Sequence, residues 1–160
     1  MIRIGIDPGV SGAIAFLYDD LELRHVYDMP VMNLSAKKQQ VNASEMGKLF
    51  TELLWHDEGT DHGRYATAYV EQVHSMPGQG VSAMFNFGTG YGVIQGVLGA
   101  LQIPMVLVSP AVWKKRAGLT GKEKDASRTL AQQLYPAAPL GRKKDIGRAD
   151  AILIARFGSK

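Results

Sequence analysis

The sequence predicts an α/β fold with a mixed five-stranded sheet and helices on both faces, because short apolar runs alternate with longer segments at helical spacing. Three of these apolar elements also begin or end in an acid: Asp7 closes Ile2-Arg3-Ile4-Gly5-Ile6, Glu71 closes Ala66-Thr67-Ala68-Tyr69-Val70, and Asp150 opens Ala151-Ile152-Leu153-Ile154-Ala155. The 160 residues fit one domain spanning 1–160, and 46% hydrophobic with 21% charged residues is enough to bury a core.

Taken in order, Ile2 to Asp7, Ala13 to Tyr18 and Leu21 to Tyr27 read as an antiparallel meander, with Pro8-Gly9 and Asp19-Asp20 at the turns. Residues 44 to 55 predict a helix capped by Ser44, with Met46, Leu49, Phe50, Leu53 and Leu54 on one face. A polar loop from His56 to Arg64 leads to the strand that ends at Glu71. Val81 to Leu101 predicts a helix in which Gly92, Gly96 and Gly99 let a neighbour pack closely. Met105 to Val108 supplies the fifth strand. Ser109-Pro110 starts a short helix carrying Trp113 and Lys114. Lys122 to Tyr135 is expected as a helix, Ala137 to Ile146 as a loop, and Gly147 to Phe157 as the terminal helix.

Composition excludes several chemistries. With no cysteine there are neither disulfides nor thiolate ligands, and His25, His56 and His62 lack zinc spacing. No signal peptide is visible, and the stretch Tyr91 to Val108 is too interrupted to span a membrane, so a soluble, cytoplasmic protein is expected. The net charge of +3 hides an asymmetry: residues 114–148 hold ten Lys/Arg against three acids. Lys114, Lys115, Arg116, Lys122, Lys124, Arg142, Lys143, Lys144 and Arg148 would suit a polyanion. A solvated helical face is the bland reading of any single cluster.

Ile4-Gly5-Ile6-Asp7-Pro8-Gly9, Val70-Glu71-Gln72-Val73, Ser109-Pro110 with Trp113-Lys114, and Ala149-Asp150-Ala151 occur together in this order. In this the chain resembles RuvC-type Holliday junction resolvases, particularly the compact members encoded by bacteriophages. The resemblance implies a ribonuclease H-like fold, a homodimer, and paired symmetric nicks across four-way DNA junctions. It implies Asp7, Glu71 and Asp150 as catalytic, metal-binding carboxylates for two Mg²⁺ ions, with Mn²⁺ as a substitute. Oxygen-only ligation suits both ions. Two such ions can activate water and clamp a scissile phosphate.

Lys114 matches a family lysine near that phosphate, and Lys124 is a second candidate. The chain departs from the family where relatives place a further carboxylate or histidine three or four residues before the terminal aspartate, because Gly147 and Ile146 stand there. Asp145 is either that ligand, bending back from the loop, or a charge favouring the helix dipole; on a continuous helix it would point about 140° away from Asp150. His74 occupies the position of a junction wedge in some relatives, and Met76, Phe85 and Phe87 are further candidates. Phe85 and Phe87 are otherwise expected in core or dimer packing.

Three other readings compete. A nuclease of the same fold acting on flaps or RNA–DNA hybrids shares every motif. A non-catalytic branched-DNA-binding module would keep the basic residues and use the acids as caps. An actin-like ATPase would share the Asp7-Pro8-Gly9 turn, yet needs a second phosphate loop that is not present. The run Gly88-Thr89-Gly90-Tyr91-Gly92 lacks the preceding strand of a dinucleotide loop.

Overall fold

A computed structural model describes residues 1–55 and 65–159; the polar loop expected over His56 to Arg64 lies outside the described residues. β1 (Ile2–Asp7), β2 (Ala13–Tyr18) and β3 (Leu23–Asp28) form the antiparallel meander. β3 starts two residues later than expected because Leu21, at φ 69°, belongs to the turn. Next comes a hairpin that the sequence does not announce, β4 (Val31–Ser35) with β5 (Lys38–Val41), forming a separate two-stranded sheet. Its strands are short, largely exposed and polar, and their register slips between Asn33 and Ser35, so no alternating apolar face marks them.

α1 (Ala43–Trp55) is capped by Asn42 rather than Ser44, since the Glu45 N–H donates to Asn42 Oδ1 at 3.2 Å. β6 (Ala66–Glu71), α2 (Val81–Ala100), β7 (Met105–Val108) and α3 (Pro110–Arg116) follow. α4 spans Ala126–Leu134, four residues shorter at its start than expected; Gly121, at φ 72°, precedes a turn through Lys122 to Asp125. A 3₁₀ turn at Lys143–Asp145 leads into α5 (Ile146–Phe157).

The main sheet has the order β3-β2-β1-β6-β7, with β6 parallel to both β1 and β7. Because strand side chains alternate between faces, β1 serves two cores at once. Ile2, Ile4 and Ile6 pack with Phe50, Ile94 and Leu98 on the α1/α2 side. The alternate residues Arg3, Gly5 and Asp7 face α5. Arg3 Nε donates to the Ala155 carbonyl at 2.9 Å, near the C-terminus of α5, where a cation is favoured. At Gly5 a Cβ would overlap the Ala151 carbonyl, so only glycine lets the helix approach this closely. Asp7 then falls beside the first turns of α5.

β6 repeats the pattern: Ala66, Ala68 and Val70 join the α1/α2 core, and Tyr69 joins the α5 side. Glu71 shares the face of Tyr69 by the same alternation. The expectation for Gly92, Gly96 and Gly99 is corrected, because among the described residues a Cβ at any of them would meet nothing within 4 Å. Close approach occurs instead at Gly5, Gly12, Gly90, Gly147 and Gly158. Among the described residues no helix is long and apolar enough to cross a membrane.

Candidate active site

Asp7 and Glu71 end neighbouring parallel strands, and Asp150 lies in the second turn of the helix packed over them. The three carboxylates are close enough to act on one another. Burial, then the charges of Asp150 and Glu71, hold the Asp7 carboxyl well above the ordinary carboxylate range; Lys114 and Lys124 offset this in part. Asp150 is pushed up to about 6, chiefly by burial, with Glu71 adding repulsion and a hydrogen bond with Ser127 pulling the other way. Among the described residues, Asp150 Oδ1 is buried without a hydrogen-bond partner. An orphaned carboxyl oxygen near another carboxylate is costly unless a proton or a cation satisfies it.

The chemistry of the donor set therefore fits a hard divalent cation. Among the described residues, however, no three Asp, Glu or His side chains are grouped so that they could hold a metal ion as they stand. One contact holds Glu71 in place: the indole N–H of buried Trp113 donates to Glu71 Oε2 at 2.6 Å. Ser109-Pro110 starts the helix that delivers Trp113, and Pro110 occupies its favoured first turn. The next residue, Lys114, sets its ammonium 5.4 Å from the Trp113 ring centroid. Lys114, Lys122, Lys124, Ser127 and Asp150 line one cleft of about 300 Å³. Lys124 sits in the turn before α4 rather than on a helix.

Asp145 is placed elsewhere. Its side chain is 3% exposed and accepts from Arg142 Nη2 at 2.7 Å and from the Arg142 backbone N–H at 2.8 Å. Arg142 holds its carboxyl below the ordinary range, and Asp145 is not among the charges that raise Asp7 or Asp150. It closes a reciprocal cap on the 3₁₀ turn. Gly147 explains why no carboxylate stands three residues before Asp150: a Cβ there would lie 2.5 Å from the Ser11 carbonyl oxygen.

The basic residues divide by side-chain type. Lys115, Lys143 and Lys144 are exposed, outside the Asp150 cleft. Arg116 donates to the carbonyls of Phe157, Gly158 and Ser159, and Arg148 bridges Asp28 at 2.7 and 2.9 Å. His74 is exposed just beyond β6. Phe85 is 75% exposed, which removes the core half of the expectation of core or dimer packing, whereas Phe87 leans on Gly9. Leu119, Lys122, Glu123 and Ser127 complete the cleft, which so holds three lysines against Glu123 and Asp150; the sequence flags Lys122 only as part of a cluster and gives no sign of Ser127.

Fold and site define a class, a ribonuclease H-like α/β fold with carboxylates at the carboxyl ends of its central parallel strands. Similar proteins are found in both fold and sequence. The structure of Thermus thermophilus RuvC in complex with Holliday junction substrate superposes with a TM-score of 0.62 at 17% identity, covering 97% of this chain and 90% of that one. A second T. thermophilus RuvC structure gives 0.53 at 15% identity, covering 99% and 97%. In sequence, 92 residues are 39% identical to the chloroplastic Holliday junction resolvase MOC1 of Chlamydomonas reinhardtii, over 56% of this chain and 10% of that protein. This chain thus matches about a tenth of the length of that curated relative. No protein-family model matches. The likeness to RuvC thus holds in fold, and the likeness to a Holliday junction resolvase holds in sequence.

Proposed function

We propose that this protein is a metal-dependent endonuclease that cuts four-way and other branched DNA junctions by paired symmetric nicks, acting as a homodimer. The observation that carries this reading is the electrostatic coupling of Asp7, Glu71 and Asp150 beside Lys114 and Lys124. An acidic centre that repels phosphate is of use on DNA only with cations at its rim, and the lysine cleft supplies them. The similarity to a Holliday junction resolvase in sequence and to RuvC bound to a Holliday junction in fold supports the substrate class.

Asp7, Glu71 and Asp150 are the residues that would hold Mg²⁺ or Mn²⁺, which supplies Lewis-acid stabilisation of charge developing on phosphate oxygens. Trp113 orients Glu71 by occupying one of its oxygens. Lys114 places a positive charge at the rim of the cleft, where it neutralises the scissile phosphate. With Asp145 bound to Arg142 and Gly147 closed against Ser11, three carboxylates serve the site, and a two-ion arrangement needs donors from DNA or water. The second copy of the chain fits the uncovered face of α2, where Val81 is 87% and Phe85 75% exposed. An infected bacterial cytoplasm as the place of action rests on the likeness to compact phage members.

Mg²⁺-dependent cleavage of a labelled four-way junction, beside duplex, flap and RNA–DNA hybrid, tests the reading. Symmetric nicks in the junction are expected, absent in Asp7→Asn, which retains junction binding. Cutting of flaps or hybrids in preference to junctions would replace it with the broader nuclease. Cleavage by Asp7→Asn would overturn the site.

A further inference from the structure

The β4–β5 hairpin takes no part in the site described above. Residues 29–44, which contain it, hold Lys37 and Lys38 and no acid, in a part of the chain that is otherwise net negative. Val10, Asn33, Lys37, Lys38, Gln39 and Asn86 line a cleft of about 370 Å³ at its tip. Among the described residues neither ammonium forms an ion pair. Val10 follows the Asp7-Pro8-Gly9 turn directly, which puts this cleft beside the end of β1.

An isolated two-stranded hairpin is marginal in water, so something must hold this one. Gln40 does so. It is 5% exposed, its Nε2 donates to the Asn86 carbonyl at 2.9 Å and to Asn86 Oδ1 at 3.0 Å, and its Oε1 accepts from the Val41 N–H. Asn86 Nδ2 returns a bond to the Gln39 carbonyl at 2.9 Å. Gly90 leaves the room: a Cβ there would stand 2.6 Å from Gln40 Oε1. On the same helix Phe87 lies 3.1 Å from where a Cβ of Gly9 would be. Hairpin, α2 and the Asp7 turn are thereby locked together.

Val41 belongs to the α1/α2 core, whereas Trp113 and α5 belong to the opposite one. The hairpin lysines and the Lys114/Lys122/Lys124 cleft therefore lie on opposite faces of the sheet, with the carboxylate end of β1 between them. We infer that the hairpin is a second DNA-backbone contact: Lys37 and Lys38 neutralise phosphates of the strand crossing the end of the sheet, and Asn33, whose Oδ1 accepts from Gln39 Nε2 at 3.3 Å, offers its own amide donor to phosphate or sugar oxygens. The inference rests on the branched-DNA reading above and extends it to a surface which that reading leaves unused.

The test is fluorescence anisotropy of a labelled four-way junction over a range of KCl concentrations, with Asp7→Asn as the uncut parent. Adding Lys37→Ala and Lys38→Ala lowers the slope of log K against log salt by about 1.8, the contribution of two phosphates. Lys37→Glu with Lys38→Glu weakens binding further. Lys48→Ala on α1, a lysine paired with Glu45 at 2.8 Å, leaves the slope unchanged. An unaltered slope and affinity in both double variants, with melting temperatures matching the parent, would overturn the inference while leaving the nuclease reading intact. A parent that binds neither junction nor duplex would remove both.

Discussion

Asp145 and Asp150 lie five residues apart at the start of one helix, the first buried and the second half-buried, yet they are perturbed in opposite directions. Asp145 is met by Arg142 and drops below the ordinary range; Asp150 faces Glu71, keeps an orphaned oxygen, and rises to about 6. The difference teaches that loss of water alone does not mark a site. A carboxylate whose bonds are satisfied within the chain is a strut, and one left in need of a cation is a site.

The largest expected effect separates the two. Asp150→Asn abolishes junction cleavage, and Asp145→Asn leaves the cleavage rate of folded protein within a few-fold of the parent. Loss of cleavage in Asp145→Asn at an unchanged fold would return it to the ligand set. Stability responds in the reverse sense. Between about pH 4 and 6 the native state binds a proton at Asp150 that the unfolded chain has released, so metal-free stability falls as pH rises through that window, by on the order of 3 kcal/mol at most. Asp7 adds to this with the same sign. Asp145 contributes stability above the ordinary carboxylate pKa and loses it as pH falls through its lowered value. Urea midpoints measured without metal across pH 4 to 7 show a decline that Asp150→Asn reduces and saturating Mg²⁺ shrinks; a flat metal-free profile would sink the coupled-carboxylate picture.

A smaller effect tests whether a fourth carboxylate fits. Gly147→Ala forces a Cβ against the Ser11 carbonyl and costs about 1–3 kcal/mol, read from the same urea titration. A neutral result would mean that the turn yields and that a ligand at this position is sterically possible.

The smallest effects extend the contrast to the basic residues. Lys122→Ala and Lys124→Ala each reduce the salt slope of junction binding by about 0.9, as exposed lysines of the cleft free to meet phosphate. Arg116→Ala leaves the slope unchanged, because its guanidinium already serves three carbonyls at the end of the chain's last helix. Equal slopes in all three would show that the arginine releases those carbonyls when DNA arrives.

Much of the architecture was legible in the linear pattern. β1, β2 and β7 fall within the expected bounds, and β6 ends at Glu71, because buried strands write continuous apolar runs between breakers. The hairpin was not legible, since its fit to α2 depends on one buried glutamine and one glycine that leave no periodic trace. The glycines of α2 misled for the converse reason. Small residues permit close approach without saying which of them is approached.

By itself the sequence determined the main sheet, the acids at the ends of its buried elements and the lopsided charge of the C-terminal third, all of which follow from local spacing and composition. Only the tertiary structure decided which of those charges are available. That Asp145, Arg142, Arg148 and Arg116 are spent on internal bonds, while Asp150 is left unsatisfied and the lysines face a cleft, depends on partners up to 120 residues away. A charge's availability is set by what stands against it in space, and chain order alone does not specify that.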